Sequence, residues 1–150
     1  MAKFMMTELI LTPAQTARMQ TGVTDKDVGK AVKLTSESQY TLCAIGDQIE
    51  GFIAAVETAT MDGFVIGSVA GTPGTRKEVV FEGTQAAGTG AIAIGTRVVC
   101  GTPAAAGTAG PLRVRSATTQ TGMDYVWRVV SLGSAGTGAV GTTGIIERVS

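Results

Sequence analysis

From Val28 onward the sequence alternates apolar and polar residues in short runs, and each run ends at a glycine, proline, aspartate or Ser/Thr cluster. Alternation with a period of two marks half-buried strands, and runs of about four to eight residues are strand-length. Val28, Val32 and Leu34 share one face while Lys33 points away, and Thr35-Ser36-Glu37-Ser38 reads as a polar turn. Tyr40, Leu42 and Ala44 then alternate with Thr41 and Cys43, and Gly46-Asp47 turns the chain. The next run is apolar on both sides: Ile49, Ile53 and Ala55 fall on one face, Phe52 and Val56 on the other. Two apolar faces predict a central strand, with Gly51 as a bulge or a point of close backbone approach. Asp62-Gly63 is the strongest hairpin signal, because a type I′ turn needs positive φ at both central residues.

Further on, Thr72-Pro73-Gly74 is another turn, and Lys77, Val79 and Phe81 alternate with Glu78, Val80 and Glu82. Arg97-Val98-Val99-Cys100 is a short strand between Ala/Gly/Thr-rich stretches. In Leu112-Arg113-Val114-Arg115 both arginines fall on one side. Tyr125–Leu132 places Tyr125, Trp127 and Val129 together, and Ile145–Val149 closes the chain. Strands at this spacing predict an all-β fold, a compact antiparallel β-sandwich (jelly-roll-like) or a small barrel. No internal repeat of fixed period stands out.

The first 24 residues read differently. Phe4-Met5-Met6 and Leu9-Ile10-Leu11 form an apolar arm, which either docks on a partner or covers the chain's own core. Thr12-Pro13-Ala14-Gln15 carries helix-start chemistry: a capping threonine, proline at the first helical position, and glutamine where a capping box places Glu or Gln. Gly22 would stop that helix. The expected organisation is an N-terminal arm with a short helix over residues 1–24, then one β-rich domain over 25–150.

Glycine, at 21 of 150 residues, is about twice its usual share of roughly 7%, which raises the entropy lost on folding. Twelve basic and twelve acidic residues cancel, which argues against a nucleic-acid surface and lowers the barrier to self-association. The chain has no histidine, so the commonest general base and transition-metal ligand is missing. Cys43 and Cys100, far apart and in no metal-binding spacing, read as buried free thiols of a reducing compartment. The interrupted apolar stretch Met1–Leu11 does not read as a signal peptide. The uncharged run Val129–Ile146 is rich in Gly, Ser and Thr and does not read as a membrane helix.

Catalytic motifs are weak. Gly136-Thr137-Gly138-Ala139-Val140-Gly141 fits G-x-G-x-x-G, but too little chain follows for the helix and acidic strand of a dinucleotide site, so it reads as a hairpin loop. Gly29-Lys30 lacks the rest of a phosphate-binding loop. Asp25-Lys26-Asp27 lacks the continuation of a calcium loop and reads as solvated turn residues. Asp47, Glu50, Glu57 and Asp62 would need to converge in space to serve as an acid/base pair; solvated edges are the default. Arg113, Arg115 and Arg128 make a small basic group without interleaved aromatics, which favours a salt-bridged outer face over nucleic acid. The expected protein is not an enzyme and has no catalytic residues, metal or cofactor.

Val28-Gly29-Lys30-Ala31-Val32-Lys33-Leu34, followed by Leu42-Cys43-Ala44 and by Gly46-Asp47-Gln48-Ile49-Glu50-Gly51-Phe52-Ile53, resembles the capsid cement (head decoration) proteins of tailed bacteriophages. The resemblance covers residues 28–70. It implies a structural virion protein, made in the host cytoplasm, that binds the major capsid protein on the outer face of the head and stabilises the shell. It further implies a small homo-oligomer, a trimer ahead of a dimer, with no nucleic-acid or membrane partner. Candidate interface residues are Phe4, Met5, Met6, Leu9, Ile10, Leu11, Arg113 and Arg115. The alternatives are a β-sandwich that binds glycans or a cell surface, and another phage head or tail component.

Overall fold

The computed structural model describes residues 14–35, 39–58, 64–84, 87–117 and 123–150. Its ten strands are β1 (Ala14–Met19), β2 (Ala31–Leu34), β3 (Tyr40–Leu42), β4 (Gly51–Glu57), β5 (Val65–Ala70), β6 (Arg76–Thr84), β7 (Arg97–Cys100), β8 (Arg113–Ser116), β9 (Trp127–Ser131) and β10 (Thr143–Arg148). The all-β expectation holds, and each of two five-stranded sheets closes on itself into a small barrel. The first barrel runs β1-β3-β2-β4-β5 and the second β6-β8-β7-β9-β10, closed by the β6–β10 pairing.

The expected N-terminal helix is replaced by β1. Thr12 and Pro13 lie outside the described residues, but Ala14 onward is extended. Capping chemistry fixes only one turn, and so short a helix is marginal alone. As a strand, the same residues pair with β5 along their whole length, from Ala14↔Ala70 to Met19↔Val65, and reach β3 at Met19↔Tyr40. Met19 is buried while Thr16 and Arg18 are exposed, the alternation of a barrel wall. Asp62-Gly63 also lies outside the described residues, between the antiparallel strands β4 and β5.

The two barrels repeat one plan. β1 and β3 pair in parallel, as do β6 and β8, and the other four pairings of each barrel are antiparallel in matching order. The register also repeats. Val32↔Leu42 matches Val98↔Ser116, Ala31↔Phe52 matches Arg97↔Arg128, and Phe52↔Ala70 matches Arg128↔Glu147. Both barrels break register at the same place, after Ile53 in β4 and after Val129 in β9. That break brings Val56, not Ala55, onto the inner face beside Ile53. Gly67 and Gly144 are equivalent and do one job. A Cβ on Gly67 would lie 2.6 Å from the Ala55 carbonyl and 2.9 Å from Met19, and one on Gly144 would lie 2.5 Å from the Ser131 carbonyl and against Phe81. Between the matched strands almost every other residue differs, so no fixed period survives in the sequence.

The first barrel's interior holds Met19, Val23, Val32, Tyr40, Ile53 and Val69. Four more of its buried residues turn outward into the second barrel's core. Ala31, Cys43, Ile49 and Phe52 join Val79, Phe81, Val98, Cys100, Val114, Trp127, Val129 and Ile146 in one cluster. The two apolar faces of β4 therefore serve two cores. Phe52 meets Trp127 edge to face, with ring centroids 4.8 Å apart, a pairing worth about 0.5–1.5 kcal/mol beyond its area. The Trp127 indole donates to the Ile49 carbonyl at 2.8 Å. Cys100 and the Gly46-Asp47 turn exchange two backbone hydrogen bonds, Gly46 N–H to the Cys100 carbonyl and Cys100 N–H to the Asp47 carbonyl.

Because one core spans both barrels, heating should unfold them in a single calorimetric transition. Phe52→Ala should cost about 3–5 kcal/mol and begin to separate the two melts. Two resolved transitions in the native chain would contradict a shared core.

Candidate interaction site

Four places on the described surface gather polar or exposed apolar chemistry. The first is the joint between the barrels. Thr24 caps a single 3-10 turn, Asp25–Asp27, in a capping box with Asp27. Val28 (φ −56°, ψ 132°) and Gly29 (φ 91°) then form a type II turn, whose second central residue needs positive φ and so takes glycine. The turn carries Lys30 back beside Asp27. Their Nζ and Oδ1 lie 2.5 Å apart, with side-chain exposures of 7% and 0%. Lys30 also donates to the carbonyls of Ala105 at 2.9 Å and Thr108 at 2.5 Å, in the β7–β8 loop of the second barrel. Asp27 Oδ2 accepts from the Thr24 and Gly107 N–H groups, each at 2.8 Å. Burial pushes the Asp27 pKa up, but the Lys30 hydrogen bond, the two backbone donors and the Lys30 charge together outweigh it and hold the carboxyl below its ordinary 3.8.

Asp27 was expected as a solvated turn residue and is instead fully buried; the loop that covers it comes from about 80 positions downstream. Val28 sits in the turn, 48% exposed, and not on the β2 face with Val32.

The second place is an open cleft of about 480 Å³ lined by Lys33, Leu34, Gly46, Asp47, Gln48, Glu50, Asp124 and Tyr125. It brings Asp47 and Glu50 together, two of the four carboxylates weighed for acid/base chemistry. Asp47 is paired with Lys33 at 2.6 Å and accepts from the Ala44 N–H. Glu50 accepts from the Leu34 N–H at 2.9 Å and the Tyr40 hydroxyl at 3.2 Å. Burial and the Glu50 charge raise the Tyr40 pKa, and Glu50 leads the rise at Tyr125. These groups brace the seam: Gln48 Oε1 accepts from the Asp124 and Tyr125 N–H groups, and Arg148 donates to the Glu50 carbonyl at 3.1 Å. Among the described residues no group of three or more Cys, Asp or Glu side chains is placed to hold a metal.

The third is the outer wall of the second barrel. Of the expected interface residues, Arg115 is held by Glu82, its Nε 2.7 Å from Oε1, and Thr102 binds the same carboxylate through N–H and hydroxyl. Burial raises the Glu82 pKa, but the Thr102 and Arg115 donors more than offset that and leave it below its ordinary 4.5. Arg113 shares the outer face of β8 with Arg115 and lines a shallow recess with Lys30, Leu42, Pro103 and Pro111. Phe4, Met5, Met6, Leu9, Ile10 and Leu11 lie outside the described residues.

The fourth is the end of the second barrel away from the first. It is built from the β6–β7 and β9–β10 loops, in which Gly83–Thr96 and Ser131–Gly144 contain no charged residue. The two loops are tied together, Ile92 N–H to the Gly138 carbonyl at 2.9 Å, and a side chain on Gly138 would strike the Ile92 backbone. The G-x-G-x-x-G stretch is this loop, between antiparallel β9 and β10. Ile94, 64% exposed, and Val140, 51% exposed, project from it. The end is uncharged, apolar at two points and held by backbone bonds.

Both cysteines are free and buried. The Cys100 contact and burial push the Cys43 thiol pKa far up, so a thiol reagent should label both only after denaturant is added; labelling of the folded chain would contradict their burial. Removing one partner of the joint, by Lys30→Met or Asp27→Asn, should cost about 3–5 kcal/mol in urea unfolding. Asp27 and Glu82 have folded pKa values below their unfolded ones, so their contribution is complete above about pH 4.5. It declines as pH falls through the folded values, since the unfolded chain there binds more protons. Asp27→Asn should flatten that acid limb. No protein-family model, no curated protein and no solved structure matches this chain, so its role is read from its own surfaces.

Proposed function

We propose that this chain is a non-enzymatic structural protein of a phage virion that binds the outer surface of the capsid, through the major capsid protein, and reinforces the shell. The observation that carries this reading is the uncharged far end of the second barrel, with Ile94 and Val140 projecting from loops that are already fixed. A surface that is ordered before contact loses little entropy on docking, and an apolar centre on a polar protein is the usual anatomy of a contact patch. The resemblance over residues 28–70 supplies the partner. The zero net charge supports it as well, because a protein that coats a shell in many copies gains from weak mutual repulsion.

Purified protein should co-sediment with expanded capsids and raise their melting temperature. Ile94→Asp combined with Val140→Asp should weaken that binding roughly tenfold or more, about 1.4 kcal/mol per decade, and leave the fold intact. Deleting Met1–Leu11 should also weaken capsid binding; if the deletion unfolds the chain, the arm belongs to the core. A chain that is strictly monomeric and co-sediments with no capsid does not have this function.

A further inference from the structure

The repeat between the barrels places one face of the second barrel in a telling position. The first barrel docks through Asp27 and Lys30 of its type II turn and through Ala31 and Phe52 of the adjoining register row, which Ala70 continues. The second barrel has the same turn: Thr96 N–H donates to the Ala93 carbonyl, Gly95 has φ 86°, and Gly95 N–H donates to the Val129 carbonyl as Gly29 N–H does to that of Ile53. The residue at the tip is Val28 in the first and Ile94 in the second. The equivalent row is Arg97, Arg128 and Glu147, continued by Arg76 on β6. In the first barrel Ala31 and Phe52 of this row are buried in the core shared with the neighbour, and Ala70 is half-buried. In the second the row is basic and open, with Arg97, Arg128 and Arg76 all exposed.

The row is unbalanced in charge. Arg97 and Arg128 stand directly opposite each other on neighbouring strands, an arrangement of like charges that destabilises a sheet. The row's only carboxylate, Glu147, is also paired with Arg76 at 3.4 Å. No hydrogen bond or ion pair joins Arg97 or Arg128 to another described side chain. Two guanidinium groups that form no ion pair among the described residues, although Glu147 stands opposite Arg128, lie beside an exposed isoleucine and match a particular kind of surface.

We propose that this face extends the docking surface around Ile94, and that its partner is an acidic protein surface whose carboxylates pair with Arg97 and Arg128 while Ile94 beds on an apolar spot beside them. The proposal rests on the capsid-binding reading and adds the chemistry of the contact. Guanidinium groups suit carboxylates because the planar fork makes paired hydrogen bonds. A protein partner fits better than a nucleic acid, which calls for a longer basic stripe or stacking aromatics; Trp127 is buried and Tyr125 belongs to the opposite end of β9.

The test is an Arg97→Glu/Arg128→Glu variant, compared with the native chain on purified capsids at low and high salt, on immobilised poly-L-glutamate, and on duplex DNA. Native protein should bind capsids more weakly as salt rises and should be retained by poly-L-glutamate. The variant should lose about tenfold or more on both with an unchanged melting temperature, and Arg97→Lys/Arg128→Lys should lose less. Capsid binding that is indifferent to the reversal and to salt would overturn the proposal while leaving the structural role standing. Should the native chain bind no capsid, the structural role falls, and poly-L-glutamate decides the face alone. Retention abolished by the reversal upholds it. No retention of the native chain, or DNA binding of equal strength, refutes it.

Discussion

Everything in this molecule depends on the first barrel lending its outer face to the second barrel's core. A five-stranded barrel whose described interior is Met19, Val23, Val32, Tyr40, Ile53 and Val69, with Ala17, Leu42, Val56 and Val65 packed against them, buries little, and small domains are marginal because so much of their surface stays wet. Ala31, Cys43, Ile49 and Phe52 add a second buried layer without adding strands. Fully burying a side chain such as Phe52 contributes about 1.5–3 kcal/mol. Trp127 stands where the first barrel has Gly51. At Gly51 a Cβ would come within 2.6 Å of Val69, whereas at the equivalent point of the second barrel the indole reaches across to Phe52 and the Ile49 carbonyl. One plan, built twice, thus yields an asymmetric pair.

The asymmetry also limits the assembly. A face that docks on an unlike surface can repeat without end if every copy presents both halves. Here the second barrel's version of the docking face carries Arg97, Arg128, Glu147 and Arg76. Burying unpaired guanidinium groups against an apolar surface costs several kcal/mol, so the tandem does not extend by the contact that made it. The same charges leave that face free for a partner that supplies carboxylates.

The Asp27–Lys30 joint gives the apolar contact a direction. Hydrophobic burial is non-directional, and a barrel resting on another could settle at several angles. Lys30 aims its three hydrogens at Asp27 and at two carbonyls of the β7–β8 loop, while Asp27 takes an N–H from each barrel. A buried ion pair is weak evidence for net stability but serves well to specify one arrangement. The seam cleft acts alike: Gln48 holds the Asp124 and Tyr125 N–H groups, and Arg148 reaches the Glu50 carbonyl, across the joint.

The sequence by itself determined the strands. Alternation at Val79/Phe81, at Arg113/Arg115 and at Trp127/Val129, together with the turns at Gly46-Asp47 and Thr72-Pro73-Gly74, is local information, set by which face of an extended chain meets water. It also announced that β4 had two apolar faces, though not that each belonged to a different core. What only the tertiary structure decided was long-range. Closure made a strand of Ala14–Met19, because pairing with β5 outweighed a weak helix cap. Burial of Asp27 required a loop about 80 residues away, which no local pattern announces. The repeat was invisible because register and topology are properties of backbone pairing, and nearly any side chain of suitable polarity meets them. At Gly29/Gly95 and Gly67/Gly144 the backbone itself demands glycine, by positive φ or by close approach, and there both barrels keep it; Gly51, equally crowded, has Trp127 as its counterpart.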